Sequence, residues 1–438
     1  MSAKRNNTDN QSDEAKHLTL HLLEELFGGY PGLKIGVRLW DGTHWPDETL
    51  QPATLVLKNP AALRAMLIPG TEVSLGEAYI YDDFDIDGDL ESVFNLADHL
   101  AQITLGGRKK LRAASDLLRL PSIKNRQPVR RGPARLSGKQ HSIERDRQAV
   151  TYHYNVSNDF YSLWLDQRMV YSCAYFHSVD EDLDAAQEQK LELICRKLRL
   201  KPGQRLLDIG CGWGGLIIYA AQHYGVDASG ITLSQPQADL ANQHIAAAGL
   251  SDHCRVEVRD YREMNDSNGY DVLVSVGMFE HVGTALLPSY FTQAWKLLKP
   301  GSVFLNHGIA SRASNPVARG PTFSNTYVFP DGELVPINVT LQAAEQSGFE
   351  VRDVESLREH YSLTLRNWVR RLEAHHEQAL KYVEEPTYRV WRLFMSGSAY
   401  GFTAESLNVY QALLVKPGDD GRSGLPLRSE DWYTSSRK

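Results

Sequence analysis

The stretch LLDIGCGWGG, from Leu206 to Gly215, is where residue types and spacing first suggest chemistry. A strand-like run ends in Gly210-x-Gly212-x-x-Gly215, and a helix-like run follows. Glycines placed there let the backbone turn tightly and approach a ligand closely. The spacing also fits a dinucleotide fingerprint, which is a weak signal alone. A dinucleotide site wants an acidic ribose ligand about 20 residues further on. Here that region reads GITLSQPQ, from Gly230 to Gln237, without a carboxylate, which counts against ordinary NAD binding. The four cysteines, Cys173, Cys195, Cys211 and Cys254, form no CxxC pair, so neither a zinc site nor a disulfide framework follows. Without an HxxxH or His/Cys cluster, metal-free chemistry is expected.

The elements that must hold this turn are legible around it. Helix-like 183–198, strand-like 205–210, helix-like 215–225, strand-like 228–234 and helix-like 237–249 alternate, and 254–260, 270–277 and 302–309 are further strand candidates. The rhythm predicts a doubly wound parallel α/β sheet. Upstream, 18–27, 61–68 and 90–103 have helical spacing, while 35–45 reads as a hairpin turning at Asp41-Gly42 and 53–58 as a strand, giving a smaller α+β module. The expected division is a disordered 1–15, an N-terminal domain over 16–118, a linker over 119–145, a catalytic domain over 146–418 and a loosely ordered tail over 419–438, from which Trp432 and Tyr433 could dock.

The chain has 438 residues, 42% of them hydrophobic and 23% charged, enough for two domains with sizeable cores. Its net charge of −7 argues against a nucleic-acid partner. Charge is uneven, however: Arg108 to Lys139 holds eleven basic residues against one acid, Asp116. That stretch reads as a helix end and a flexible tether, with attraction to anionic lipid head groups as the sharper alternative. The polar N-terminus lacks the apolar core of a signal peptide, and no run is long enough to span a bilayer. A cytoplasmic protein is the expectation.

Four blocks resemble those of the cyclopropane-fatty-acid and mycolic-acid cyclopropane synthases. They are HYNVSNDFY (153–161) continuing through LWLDQRMVYSCAYF to Phe176, the glycine turn, GITLSQPQ, and MFEHVG (278–283). The resemblance runs from about residue 146 to about 415, and the first domain resembles the N-terminal extension of the longer bacterial members. It implies a class I S-adenosylmethionine-dependent methyltransferase fold, Rossmann-like. It also assigns cofactor contacts: Tyr171 and Ser172 before the sheet, Asp208, Gly210 and Gly212 at the turn, Thr232, Leu233 and Gln237 at the ribose, and Tyr261 beside the adenine.

Such chemistry has two physical demands. Methyl transfer to an alkene leaves a carbocation, so water must be excluded and a base must then remove a proton to close the ring. Nothing in composition or spacing identifies that base. The resemblance implies a bound bicarbonate, held at Cys173 in YSCAYF, Glu280 in MFEHVG, His307 and Ile309 in NHGIAS, and Tyr361 in REHYSLTLRNW. Tyr361, His307 and main-chain amides such as that of Cys173 would donate to the anion, Glu280 would accept its O–H, and Ile309 would act through its main chain. One departure stands out: in MSGSAYGF (395–402), Ser398 occupies the place of a cysteine carried by many members. The resemblance further implies an unsaturated phospholipid substrate, a cyclopropane product, peripheral attachment to the inner face of the membrane, and compatibility with a homodimer. A methylene- or methyl-branched product is the alternative within the family.

Overall fold

Nothing between Ser2 and Phe27 interrupts a helix: the run has neither Gly nor Pro, and Ala15, Leu18, Leu22, Leu23 and Leu26 repeat at helical spacing along its buried face. The computed structural model, which describes residues 2–28, 30, 35–46, 51–102, 107–123, 131–154, 156–314 and 320–433, makes Ser2–Phe27 one helix. The expectation of disorder up to residue 15 is thereby corrected, since no breaker stops the helix from extending N-terminally.

Two compact units emerge. The first comprises Met1–Pro133, Ala318–Tyr327 and Val383–Tyr400; the second takes the remainder. In the first, strands β1 (Ile35–Arg38), β2 (His44–Trp45), β3 (Ala53–Leu57) and β4 (Phe84–Gly88) form a sheet in the order β2-β1-β3-β4. The two late segments belong here rather than with the catalytic stretch to which sequence reading assigned them. The reason is specific contacts. Phe323 donates its N–H to Glu72 Oε1 at 3.0 Å and packs so closely on Gly76 that a Cβ there would sit 2.3 Å from its ring. Arg389 donates to Tyr79 O at 3.0 Å and to Asp85 at 2.8 Å. Ser398 lies half-buried on helix Glu385–Thr403, within the part that joins this unit.

Part of the basic stretch is ordered. Gly107–Arg119 is a helix, its last carbonyls capped by Arg64, which reaches Leu118 O at 2.8 Å and Leu120 O at 2.7 Å. The linker residues 124–130 lie outside the described residues.

The second unit is built on β5 (Arg205–Ile209), β6 (Asp227–Thr232), β7 (Cys254–Val258), β8 (Tyr270–Val276), β9 (Leu298–Ser311), β10 (Glu350–Ser356) and β11 (Leu407–Lys416), in the order β10-β11-β9-β8-β5-β6-β7. From β7 to β9 neighbouring strands are parallel, and the central ones are almost wholly buried because both faces are covered. The expected doubly wound sheet is present. It is extended by β11, which runs antiparallel to both β9 and β10. The chain leaves β5 for β6 and β7, then returns to β8 on β5's other side, so strand order reverses at β5. The crevice at that reversal is where α/β sheets bind ligands. The tail docks through Trp432, which is buried near Lys197 and Leu198.

Candidate active site

The cradle begins where β5 ends. Gly210 (φ +87°) and Gly212 (φ +54°) take left-handed conformations, and a Cβ on Gly210 would come within 2.6 Å of Met278. Gly215 opens helix Gly215–Tyr224, and a Cβ there would meet Arg168 O at 2.9 Å. After β6, Thr232 Oγ1 donates to Gln237 Oε1 at 2.7 Å, and Ser234 caps helix Gln235–Ala247. A cavity opens at the carboxyl ends of β5 to β8. One wall is Ile209, Gly210, Gly212, Thr232, Leu233 and Gln237; the other includes Tyr261, Arg262, Gly277 and Met278. Tyr154 and Asp146, from helix Ile143–Tyr154, also line it.

Six of the nine expected cofactor residues therefore share one cavity. Asp208 lies beneath it on β5, buried, with Oδ1 lacking any partner among the described residues. Tyr171 and Ser172 are not part of its lining: Tyr171 joins an aromatic cluster with His153, Tyr154 and Trp368, and Ser172 Oγ accepts from Lys190. Sequence reasoning missed Asp146, Tyr154, Arg262 and Lys190. The run Asp260-Tyr261-Arg262 after a strand was the available signal for Arg262, which binds both Asp260 oxygens, at 2.8 and 2.6 Å, and Asp146 at 2.9 Å.

The cradle fits a nucleoside with a charged amino-acid end. Its walls are apolar at Ile209, Ile231 and Val282, the close-approach glycines leave no room for side chains, and two buried polar atoms, Asp208 Oδ1 and the Tyr261 hydroxyl oxygen, are without partners among the described residues. Thr232 and Gln237 add neutral polar groups to the lining.

The second cluster is assembled from β9, β11, helix Arg358–Ala374 and the turn after β8. Glu280 sits in the turn Phe279–His281 and is 9% exposed. Its Oε1 accepts the Ile309 N–H at 2.7 Å; its Oε2 is buried without a partner among the described residues. Burial pushes its carboxyl up to about 7, only partly opposed by that hydrogen bond. His307, 2% exposed, accepts at Nδ1 from Gln411 Nε2 at 3.2 Å, which leaves the hydrogen on Nε2. That Nε2 also has no partner among the described residues. Burial, then the charges of Lys190 and Lys197, holds its pKa well below the usual range, so the ring is neutral.

Tyr361 packs on Phe402, with centroids 4.7 Å apart, and burial, with the ionisable groups of Cys173, Glu280 and Tyr154 nearby, raises its hydroxyl well above the ordinary value, keeping it a donor. Cys173 is fully buried with Sγ 3.3 Å from Ala174 O; burial raises its thiol far from ionisation, so it is no nucleophile. The Ile309 N–H is taken up by Glu280 and so is not free for a ligand. Phe279 fixes the turn from below, because Gly308 has no Cβ, which would otherwise lie 1.8 Å from the ring. Neighbouring His281 lines the cofactor cavity, and burial, then nearby His141, lowers its pKa to about 4. The clusters adjoin: Gly277, in the cavity wall, donates its N–H to His307 O at 2.9 Å. No group of His, Cys, Asp and Glu suited to a metal occurs among the described residues.

A seven-stranded sheet with its glycine turn at the reversal point, and a cavity beside that turn, is the fold of the S-adenosylmethionine-dependent methyltransferases. The chain belongs to the mycolic acid cyclopropane synthetase family, whose model matches residues 141–412. It is 39% identical over 404 residues to a probable fatty acid methyltransferase of Pseudomonas putida, covering 92% of this chain and 96% of that one. It is 33% identical over 376 residues to the cyclopropane-fatty-acyl-phospholipid synthase of Escherichia coli K12, covering 84% and 90%. A solved mycolic acid cyclopropane synthase complexed with SAH and CTAB matches with a TM-score of 0.58 and 34% identity, over 61% of this chain and 97% of that chain.

Proposed function

We propose that the protein transfers a one-carbon unit from S-adenosylmethionine to the cis double bond of an unsaturated phospholipid acyl chain and closes a cyclopropane ring. The observation that carries this reading is the pair of buried, unpartnered polar atoms, Glu280 Oε2 and His307 Nε2, in a cluster adjoining the cofactor cavity. A polar group left unsatisfied in the interior costs about 1–3 kcal/mol, which a fold carries for a ligand that completes it.

Bound S-adenosylmethionine supplies an electrophilic methyl group. Glu280, His307 and Tyr361 would hold a bicarbonate ion, which would supply the base. The chain's own residues do the rest. His307 Nε2–H and the Tyr361 hydroxyl donate to an anion, and Glu280 Oε2 accepts an O–H, its carboxylate held by Ile309. Buried Trp368 and Phe402, whose rings pack on Tyr361 with centroids 6.0 and 4.7 Å away, would help keep water from a cation that would otherwise be trapped as an alcohol.

Attachment to lipid has its own support. On helix Gly107–Arg119, Arg108, Lys109, Lys110 and Arg112 are exposed beside Leu111 (74% exposed) and Leu118 (59%). Basic residues near an anionic surface contribute roughly 1 kcal/mol each, and exposed leucines add apolar contact. No helix among the described residues is long and apolar enough to cross a membrane. Peripheral binding at the inner face of the membrane, by a cytoplasmic protein able to form homodimers, completes the reading.

A second product has a specific argument. The Pseudomonas putida relative is called a fatty acid methyltransferase, so a methylene- or methyl-branched chain competes with the ring. The test follows label from S-adenosylmethionine into monounsaturated phospholipid vesicles, before and after bicarbonate is purged. Transfer that collapses on purging and returns with added bicarbonate supports both the substrate and the base; transfer indifferent to purging contradicts the base.

A further inference from the structure

Helix Leu183–Lys197 carries two lysines that are almost wholly buried. Lys197 is answered by Asp353 at 3.3 Å and by Glu355. Lys190, 1% exposed, forms no ion pair among the described residues; its Nζ donates to Ser172 Oγ at 2.7 Å. Burying an ammonium without a paired carboxylate is costly, and a fold that does so has a use for the charge. Gln187, on the same helix face, donates to Ser172 O at 2.9 Å and Val170 O at 3.2 Å, so two side chains clamp the segment at Ser172. The groups facing the Lys190 charge are Asp166, Cys173, Asp208 and, from β9, His307. Asp208, the one with an unpartnered oxygen, also interacts with Cys211 and Tyr290.

We propose that Lys190 is a positioning residue for S-adenosylmethionine. Its ammonium occupies a lone pair of Ser172 Oγ, turning the hydroxyl proton outward as a donor, and its field opposes the neutralisation of the buried Asp208 carboxyl, favouring the charged form that would meet the ammonium of the cofactor's amino-acid end. The inference rests on the reading that Ser172 and Asp208, neither of which is part of the cavity lining, meet that cofactor when it is bound. Burial raises the Asp208 carboxyl to about 7 even with Lys190 opposing it, and lowers Lys190 only to about 8, so at neutral pH the lysine remains mostly charged.

The experiment measures S-adenosylhomocysteine binding by calorimetry, and steady-state kinetics, for the full-length protein and for Lys190→Met, from pH 6 to pH 9. Lys190→Met is expected to bind at least tenfold more weakly at neutral pH, to raise KM for S-adenosylmethionine more than it lowers kcat, and to regain affinity as pH rises. Lys190→Arg is expected to restore part of the neutral-pH affinity. Binding by Lys190→Met that matches the parent at every pH overturns the proposal while leaving the cofactor reading intact. Failure of the parent itself to bind S-adenosylhomocysteine overturns the cofactor reading. Should Lys190→Met not fold, the parent decides: its affinity is expected to weaken as pH falls through about 7, and Asp208→Asn to abolish that dependence. A flat profile in the parent overturns the proposal.

Discussion

Gln411 lies directly opposite His307 across the antiparallel pairing of β11 with β9, and its side-chain amide donates to the imidazole Nδ1 at 3.2 Å. A strand added to the parallel sheet thus decides which nitrogen of the histidine carries the hydrogen. Nδ1 must accept from that amide, so Nε2 carries the hydrogen and is buried without a partner among the described residues.

Gln411→Leu removes that control while keeping the side chain's bulk. About tenfold to a hundredfold lower kcat is expected, from a lost hydrogen bond worth ~1–3 kcal/mol. Steady-state assays beside circular dichroism check it. Unchanged kcat in a folded variant would mean that the tautomer is irrelevant.

Glu280 should impose a pH dependence of its own. Accepting a hydrogen bond at Oε2 requires the carboxylate, and burial places the pKa at about 7. The parent's kcat should therefore rise through that pH, and Glu280→Gln should lose about a hundredfold to ten-thousandfold in rate with no such rise.

The same residue should weaken the fold. An ordinary glutamate titrates near 4.5, so between there and about 7 the folded chain retains a proton that the unfolded chain has released. Stability contributed by that group falls as pH rises through this window. Above it, Glu280→Gln should be more stable than the parent by about 3 kcal/mol, and the advantage should fade toward pH 5. Thermal melts at the two pH extremes measure this.

Gly308→Ala is expected to be severe for a single methyl. Its Cβ would overlap the Phe279 ring, and Phe279 adjoins Glu280. Overpacking of this kind costs about 1–3 kcal/mol. Activity should fall further than stability accounts for, since the displaced turn carries the carboxylate. A variant as active as the parent would show that the turn tolerates movement.

Replacing Arg108, Lys109, Lys110 and Arg112 with glutamine should weaken binding to anionic vesicles by about tenfold or more at low salt, while leaving S-adenosylhomocysteine binding unchanged. Vesicle sedimentation across a salt series reads it. Equal binding by both proteins would move lipid engagement elsewhere.

Much of this architecture was legible because local signals were strong. Continuous apolar runs such as Leu206-Leu207 and Val272-Leu273-Val274 mark strands covered on both faces, and Gly225 and Gly249 end helices in left-handed turns. β10 escaped because VRDVES is polar and half-exposed, as suits an edge strand. The return of 318–327 and 383–400 to the first unit was invisible because it depends on pairings such as Arg389 with Asp85, which are remote in sequence. At the site, glycines and neutral polar residues announced the cofactor turn. Lys190 did not announce itself: a lysine in a helix reads as a solvated charge until burial is known. Nor could spacing reveal that Glu280 and His307 each leave one polar atom unpartnered, since that follows from the registration of β9 with its neighbours.

The central claim is tested most directly by incubating the protein with isotopically labelled S-adenosylmethionine and monounsaturated phospholipid vesicles, then examining the acyl chains by mass spectrometry and proton NMR. The predicted result is a labelled chain heavier by one methylene, with cyclopropyl protons and no remaining olefin. A labelled chain that keeps an olefin would contradict ring closure, and an unlabelled chain, from protein that binds S-adenosylhomocysteine, would contradict the lipid substrate itself.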